Sequence, residues 1–265
     1  MMRFSLEGMT VGLLSFLATA ASVGIAQEAK PARSLEWTKT REIAAPEANQ
    51  AAAADERFVY AIDNAVVAKY DRQTGQRVAR STGAAKHLNS GFLLGGKLYC
   101  AHSNYPRKPE QSEIMVLDPE TMELTPFKEF GNYGGSLTWA IFRDGHWWCN
   151  FAHYREDNAK TFLARFDSDW REVARYTYPD EVIAEIKNYS LSGGIWDGDN
   201  LLVTDHDHRA LYELRLPASG TVLQFVGKHR APFTGQGIAR DPKSSGLVGI
   251  DRAKKLVLFA ERLDK

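Results

Sequence analysis

A strand-and-turn unit recurs along this chain at intervals of about 48 residues. Each of its four copies runs from a short apolar strand into a tight turn marked by Asp or Pro. The copies are AVVAKYDRQTG from Ala65, SEIMVLDPETM from Ser112, TFLARFDSDW from Thr161 and ALYELRLPASG from Ala210. A fixed period of this length, built from strands, is typical of a β-propeller, in which each repeat forms one blade.

Two further strands precede each copy and are joined by a hairpin signal. In the second, third and fourth blades the paired segments are 91–94 with 97–101, 138–142 with 146–151, and 194–196 with 201–204. The residues between them include Gly95-Gly96 and Asp144-Gly145, which supply the positive φ angles that two-residue hairpins need. The sequence therefore predicts blades that are four-stranded antiparallel meanders.

The two ends of the repeat array predict how the propeller closes. The first blade would begin near Gln50 and the fifth near Gln236, and the fifth ends in a third strand, KKLVLFAERL. Leu35–Ile43 (LEWTKTREI) precedes the first blade and has no other partner, so it is expected to supply the missing strand. The prediction is an all-β, five-bladed β-propeller forming a single domain over residues 34–265. Its ring is closed by an N-terminal strand that pairs with the C-terminal blade.

The first 26 residues have the pattern of a signal peptide. Arg3 precedes an apolar stretch from Val11 to Ala21, and Gly24-Ile25-Ala26 offers small residues at the cleavage positions. The apolar stretch is shorter than the roughly 20 residues that a membrane span needs. We therefore expect a periplasmic or secreted protein with no membrane association after cleavage.

Charge and motif content exclude several function classes. The 33 Lys and Arg residues balance the 33 Asp and Glu residues without a basic stripe, which argues against a nucleic-acid partner. No phosphate-binding glycine loop, Gly-x-Ser-x-Gly elbow or His-Glu-x-x-His helix occurs, so no nucleotide cofactor is expected. A small-molecule substrate is the expected partner, and a protein partner stays open.

The two cysteines are predicted to be buried thiols. Cys100 and Cys149 fall at the same place in the second strands of successive blades, so each should point the same way within its own blade. Packed sheets lie about 10 Å apart, which exceeds the Cα separation that a disulfide permits.

Strand order decides which residues share a face. In a four-stranded meander the start of the first strand and the end of the second lie on one side, here called the rim. The tight turns lie on the opposite side, here called the turn face. Five of the seven histidines fall on the rim, whereas His146, beside Asp144-Gly145, is expected on the turn face.

The rim residues are the candidate site. A single histidine at a strand end is usually a hydrogen-bonded structural residue, but several converging on one face favour proton-transfer chemistry. The candidate catalytic residues are His102, His153, His206 and Glu47. The candidate substrate-binding residues are Gln50, His87, Asn89, Asn104, Tyr105, Trp139, Tyr154, Asp207 and Gln236. The aromatic members suit a flat-faced ligand such as a sugar.

The same histidines are candidate metal ligands. Neutral imidazole binds zinc, iron, nickel or manganese, so a funnel shared by several blades predicts a site for one divalent metal. Its ligands would be His87, His102, His153 and His206. They are far apart in sequence, so no ligand-spacing motif applies. Without a metal, they are expected to act as general acid and base on a bound molecule, and both alternatives stay open.

Several short motifs resemble a family of exported bacterial propellers labelled cycloisomerase-like. They are HLNSG from His87, AHSNYP from Ala101, FAHY from Phe151, SGG from Ser192 and GQGIARD from Gly235. They are spread over blades two to five, so the resemblance covers most of the mature chain and implies isomerase or lyase chemistry. Size and closure also resemble the five-bladed glutaminyl cyclotransferases, in which a glutamine starts the first blade much as Gln50 does here. The acidic catalytic set of that family has no residue-by-residue match.

Two classes of function follow from these patterns. The first is an exported enzyme acting on a small hydroxylated or carboxylated, sugar- or lactone-like molecule by isomerase, lyase or ring-opening or ring-closing chemistry. The second is a propeller that binds a ligand or docks a protein without chemistry, and glutaminyl cyclotransferase-like activity is a further alternative. The titratable cluster favours an enzyme, because docking surfaces more often present aromatic and arginine anchors.

Overall fold

A computed structural model describes Met1, Met2 and residues 36 to 263. The chain divides into two compact units, Met1–Pro31 and Ala32–Lys265. The predicted signal peptide falls in the first unit and, beyond Met2, lies outside the described residues. In the described part, no helix has both the length and the apolar character that crossing a membrane requires.

Three sheets each contain four strands that are consecutive in sequence and antiparallel. The first has β2 (Ala51–Ala54), β3 (Phe58–Ile62), β4 (Val67–Asp71) and β5 (Arg77–Arg80). The second has β6 (His87–Leu94), β7 (Lys97–Ser103), β8 (Ser112–Leu117) and β9 (Leu124–Gly131). The third has β10 (Ser136–Arg143), β11 (His146–Ala152), β12 (Phe162–Phe166) and β13 (Glu172–Thr177). The predicted all-β class and four-stranded antiparallel units are confirmed.

The fourth sheet has eight strands and includes β1 (Glu36–Ala44) from the N-terminal side. Its sequential part is β14 (Gly193–Asp197), β15 (Asn200–Thr204), β16 (Ala210–Arg215) and β17 (Gln224–Arg230). Its C-terminal part is β18 (Ala239–Arg240), β19 (Leu247–Asp251) and β20 (Leu256–Leu263). Strand β1 lies antiparallel to β20, with Glu36 opposite Leu263 and Ala44 opposite Leu256. A single parallel pair, Glu36 with Arg230, joins β1 to β17.

The first strands of the sheets pack against one another in the cyclic order β2, β6, β10, β14, β18 and back to β2. Small residues make this approach possible. A Cβ atom on Gly237 would lie 2.5 Å from the Cβ of Ala51, and one on Gly194 would lie 2.7 Å from the indole of Trp139. Both distances are well inside van der Waals contact, so these positions exclude any larger residue without a shift of the neighbour.

The tight turns have the backbone that the sequence predicts. Gly95 and Gly96 have φ of 57° and 77°, and Asp144 and Gly145 have φ of 51° and 75°. Glycine adopts such angles at little cost and aspartate tolerates them, which explains why these dipeptides join the strand pairs β6 to β7 and β10 to β11.

Longer segments lie at the opposite strand ends. A 3-10 helix, Arg155–Lys160, follows β11, and the helix α1, Asp180–Ile186, precedes β14. Helix α1 buries Val182 and Ile186, and it ends where Lys187 takes a φ of 51°.

Two bulges occur in the first strands near the rim. Leu88 of β6 pairs with His102 of β7, and Gly91 pairs with Cys100. Strand β6 therefore advances three residues where β7 advances two, and it has one extra residue. Strand β10 has a similar irregularity between Leu137 and Trp139. Bulges change the direction of the side chains beyond them, so the rim ends of β6 and β10 depart from simple alternation.

Both cysteines lie in the hydrophobic core as free thiols. Cys100 packs in the cluster around Leu88 and Leu98, whereas Cys149 packs in the cluster around Leu137 and Phe151. Burial raises the pKa of the Cys100 thiol to about 12, and it raises that of Cys149 further. Neither thiol has the thiolate character that a nucleophile needs.

Candidate functional site at the rim

The rim is built from equivalent positions in successive sheets. Each second strand is followed within two residues by a polar side chain: Asn64, Asn104, His153, His206 and Arg252. Polar residues also stand at or just before the start of first strands: Gln50, His87, Ser136, Ser192 and Gln236. Strand direction therefore assigns all of these polar groups to the rim.

His87 is the first residue of β6 and is half-buried. Its imidazole centroid lies 5.3 Å from that of Tyr105, which in turn lies 5.0 Å from that of Tyr154. Burial lowers the pKa of His87, and the neighbouring His102 and Arg252 lower it further. The imidazole is therefore neutral at pH 7, with a lone pair that can accept a proton.

Tyr154 supplies a protonated phenol on the far side of Tyr105, the ring that contacts His87. Burial raises the pKa of its hydroxyl, and the nearby Tyr105 and Glu110 raise it further, although the neighbouring Ser136 hydroxyl opposes the shift. The hydroxyl therefore keeps its proton across the physiological range and can donate a hydrogen bond to an oxygen of a ligand.

His206 is held from three sides. Its imidazole stacks on Tyr189 with centroids 4.3 Å apart and planes 8° from parallel. Nη1 of Arg252 lies 3.2 Å from Nε2 of His206, and since arginine only donates, Nε2 must accept. The proton is then on Nδ1, which donates to Oδ1 of Asp207 at 2.7 Å. The side chain of Gln236 donates to the backbone carbonyl of His206 at 2.8 Å and fixes the loop.

Arg252 carries a positive charge without a carboxylate partner in the described part of the chain. Its guanidinium is half-buried, and Nε donates to Oδ1 of Asn49 at 3.2 Å. A half-buried guanidinium that only neutral groups contact is suited to bind an anion. The positive charge of Arg252 is also one of the causes of the lowered pKa of His87.

His102 and His153 are engaged differently. Nε2 of His102 accepts the backbone N–H of Lys86 at 2.9 Å, so Nδ1 donates to Oε1 of Glu113 at 2.8 Å. Both nitrogens of His102 are thus occupied by the protein itself. His153 lies at the start of the loop after β11, where its charge affects the pKa values of Glu110 and Asp157.

The four histidines do not form one ligand set. Within Met1, Met2 and residues 36 to 263, no group of three or more His, Cys, Asp or Glu side chains is arranged to hold a metal ion. The bonds of His102 and His206 also occupy nitrogens that a metal would need. The predicted divalent-metal site therefore has no fitting residue set in the described chain.

Glu47 has the surroundings of a structural carboxylate. Its Oε2 accepts the hydroxyl of Tyr70 at 2.5 Å, and its Oε1 accepts Nη1 of Arg77 at 2.7 Å, with Nε of Arg80 at 3.5 Å. Burial alone would raise the pKa of Glu47, but hydrogen bonds from Tyr70, the backbone and Arg77 outweigh it and lower the pKa. This ionised group, with its oxygens occupied, differs from the catalytic role expected from the sequence.

Replacing Glu47 with Gln is expected to destabilise the protein by about 2 kcal/mol at pH 7, because a buried charged hydrogen-bond network is lost. The lowered pKa makes Glu47 stabilising above its unfolded pKa, and that contribution disappears as pH falls through the folded pKa. Urea denaturation at several pH values should therefore show the difference shrinking in acid. Glu42→Gln, which removes an exposed pair with Lys39, is the matched control and should change stability by less than about 0.5 kcal/mol. A stable but inactive Glu47→Gln protein would restore the catalytic interpretation.

Several other candidate residues have structural partners. Trp139, in β10, is fully buried and its indole packs against Gly194. The expectation that it contacts substrate is therefore wrong, because the bulge in β10 directs its side chain into the core. Asn89 is buried and donates to the carbonyl of Leu137, which links the second and third sheets. Asn104 bonds Pro109 and Gln111 within its own loop.

Gln50 remains at the rim but its amide is partnered. Nε2 of Gln50 donates to Oδ1 of Asn64 at 2.5 Å, and the backbone N–H of Gly237 donates to the carbonyl of Gln50 at 2.9 Å. These bonds connect the first sheet to the segment before β18 and hold the start of β2 in place.

Sequence reasoning missed Arg252 and Tyr189. A signal for Arg252 was present, since it follows the second strand of its blade as His206 and His153 do in theirs. Tyr189 lies in the irregular segment between α1 and β14. No repeat position marks it, and only the structure shows its stack on His206.

The fold is similar to that of a glutaminyl cyclase from Myxococcus xanthus, with a TM-score of 0.61 and 13% sequence identity. The alignment covers 87% of this chain and 99% of that one. A chain of a mitotic checkpoint complex aligns with a TM-score of 0.47 and 13% identity, over 95% of this chain and 100% of that one. No family model and no curated protein matches the sequence. The likeness to the cyclase supports a propeller fold, and the cycloisomerase-like resemblance stays a prediction.

Proposed function

We propose that the protein is an exported enzyme acting on a small, polar, carboxylate-bearing molecule at the rim, with His87 as general base. The observation that carries the proposal is a neutral, half-buried imidazole near the guanidinium of Arg252, which no described carboxylate pairs. A base beside an anion-binding group is the arrangement needed to bind a carboxylate and remove a proton close to it. Isomerase, lyase and ring-opening or ring-closing reactions all use such a step.

The fold proposed for this enzyme is a five-bladed propeller with β1 as the outer strand of the last blade. The cyclic packing of the five first strands and the pairing of β1 with β20 support it. In this arrangement the eight-stranded sheet is two blades joined at Glu36 and Arg230. The proposed periplasmic or secreted location depends on the signal-peptide pattern of residues 1–26 alone.

Four rim residues have roles in the proposed reaction. Arg252 binds the carboxylate, because a guanidinium matches a carboxylate with two parallel hydrogen bonds. His87 accepts the proton at an imidazole nitrogen, and the Tyr154 hydroxyl donates to an oxygen that gains negative charge. His206 is fixed beside Arg252 by its bonds with Arg252 and Asp207, so it positions the guanidinium.

Glutaminyl cyclase-like activity is the second candidate. The named activity of the structurally similar Myxococcus xanthus protein favours it, together with the buried amide of Gln50 at the start of the first blade. In such a reaction the proton removed by His87 would come from the attacking amine, and ammonia would leave. A propeller that only binds its ligand is the third alternative.

Purified protein assayed on two substrate classes separates these functions. A glutaminyl peptide reports cyclisation by ammonia release, and a sugar-acid lactone reports ring opening by acid release. Each assay is run with and without EDTA and added divalent metal. We expect turnover of at least one substrate above the buffer rate and unaffected by EDTA. Saturable binding of both without turnover would support the binding scaffold and contradict the proposal, and activity that EDTA abolishes would contradict the metal-free mechanism.

A further inference from the structure

A cavity of about 380 Å³ opens at the turn face between the third sheet and β14–β17. Its walls include side chains from the second and third strands of the third sheet and from β14 and β16. The arginines and tryptophans that line the cavity are Arg143, Trp148, Arg165, Trp196 and Arg215. None of them belongs to the rim, so this turn-face cavity is separate from the site proposed above.

The charges around the turn-face cavity are not balanced. Three arginines face two aspartates, and Arg143 pairs with both of these, Asp144 and Asp199, at 2.9 Å each. Arg165 and Arg215 form no ion pair with any carboxylate in the described part of the chain. The cavity therefore carries an excess of one positive charge, located on its Arg165 and Arg215 side.

Arg165 is the more unusual of the two. It is half-buried, and its Nε–H is inaccessible to solvent and donates to no acceptor among the described residues. Arginine stays charged at all physiological pH values, so an unpaired buried guanidinium nitrogen costs free energy. The indole of Trp148 at 5.5 Å offsets part of this cost, since a cation is attracted to an aromatic face. The other two guanidinium nitrogens form no hydrogen bond with a described residue, so a carboxylate in the cavity can pair with them.

The other walls of the cavity are aromatic. Trp148 and Trp196 meet edge to face with centroids 5.0 Å apart, and the guanidinium of Arg143 lies 4.6 Å from the centre of Trp196. Indole surfaces favour contact with a flat apolar group, and since Trp148 is only 4% exposed, Trp196 offers most of this surface. A ligand that satisfies both kinds of wall has an anionic head and a planar apolar body.

We propose that the turn-face cavity is a binding site for a small organic acid of this kind, a planar apolar carboxylate. Its carboxylate binds Arg165 and Arg215, and its body packs against Trp148 and Trp196. The site does not depend on the reaction proposed at the rim, because no residue is shared between them.

Titration calorimetry with benzoate tests this site. We expect saturable binding to the full chain, weakened at least about tenfold in Arg165→Met, since one charged hydrogen-bonded contact is lost. Benzamide has the same shape without the charge and should bind at least about tenfold more weakly than benzoate. Sulfate has the charge without the apolar body and should not displace benzoate at equal concentration.

Two further variants keep the test decisive. Arg171→Ala removes an exposed arginine from the turn between β12 and β13 and should leave benzoate binding unchanged. Arg215→Met, at an exposed position, should weaken binding even if Arg165→Met fails to fold. Absence of saturable binding, equal binding of benzamide and benzoate, or equal affinity of wild type and both Met variants would each overturn the proposal. Displacement by sulfate would do so as well, because it would show an anion site that makes no use of the indoles.

Discussion

Deleting residues 27 to 44 is expected to abolish cooperative unfolding of the protein. The deletion removes β1, which pairs with β20 at eight positions and lies between β20 and β17. Without it, β20 presents an open hydrogen-bonding edge to solvent. The last of the proposed blades would also lose its outer strand, so a deletion at the N-terminal side destabilises the C-terminal strands as well.

The burial contributed by β1 indicates that the loss is comparable to the whole stability of a domain. Trp37 and Ile43 are only 4% and 5% exposed. Truncating a buried Trp typically costs about 3 to 5 kcal/mol and a buried Ile about 2 to 5 kcal/mol, so the two together contribute about 5 to 10 kcal/mol. Native proteins are stable by about 5 to 15 kcal/mol in total. The lost strand pairing adds to this cost.

Circular dichroism melts of the deletion and of two point variants make the test quantitative. Trp37→Ala should lower the free energy of unfolding by about 4 kcal/mol. Lys39→Ala, on the exposed side of the same strand, should change it by less than about 0.5 kcal/mol. A truncated protein that melts like the full chain would contradict the proposed closure.

The sequence predicted the strands well because the repeat and its turns are local signals. Gly95-Gly96 and Asp144-Gly145 require particular φ angles, and their positions determine where the neighbouring strands begin and end. The partner of β1 could also be anticipated, because Leu35–Ile43 had no other strand to pair with and the fifth blade lacked a fourth strand. The length of β18, only two residues, could not be predicted, because GQGIARD carries a poor strand pattern.

Side-chain direction at the rim was harder to predict than position. Strand order placed Trp139 near the rim, but the bulge in β10 breaks the alternation from which direction is inferred. The partner of His102 is a backbone N–H of Lys86, and no residue type at position 86 signals such a bond. Histidine content suggested a metal funnel, whereas the contacts of these histidines are mostly with carboxylates, arginine and aromatic rings.

Replacing His87 with Asn is expected to reduce kcat/KM by about 10² to 10⁴-fold while the protein stays folded, because this is the usual contribution of a general base. Asn keeps polarity and similar size but cannot accept a proton at pH 7. His146→Asn is the matched control, since it removes an imidazole from the turn face, where the ring bonds only the carbonyl of Asp144. It should leave kcat/KM unchanged. Equal losses in both variants, or none in His87→Asn, would rule out this role for His87.

The pH dependence distinguishes a base from a structural histidine at this position. The pKa of His87 lies below its ordinary value of 6.5, so kcat/KM should hold down to pH values below 6.5 and then fall as the imidazole is protonated. Arg252 is one cause of that lowered pKa, and its replacement by Gln removes a nearby positive charge. The pKa of His87 should then rise, and the acidic limb of the profile should move to higher pH. Arg252→Gln should also raise KM, because the substrate carboxylate loses its partner. If His87 only stabilises the fold, the acidic limb of the kcat/KM profile should stay at the same pH in this variant.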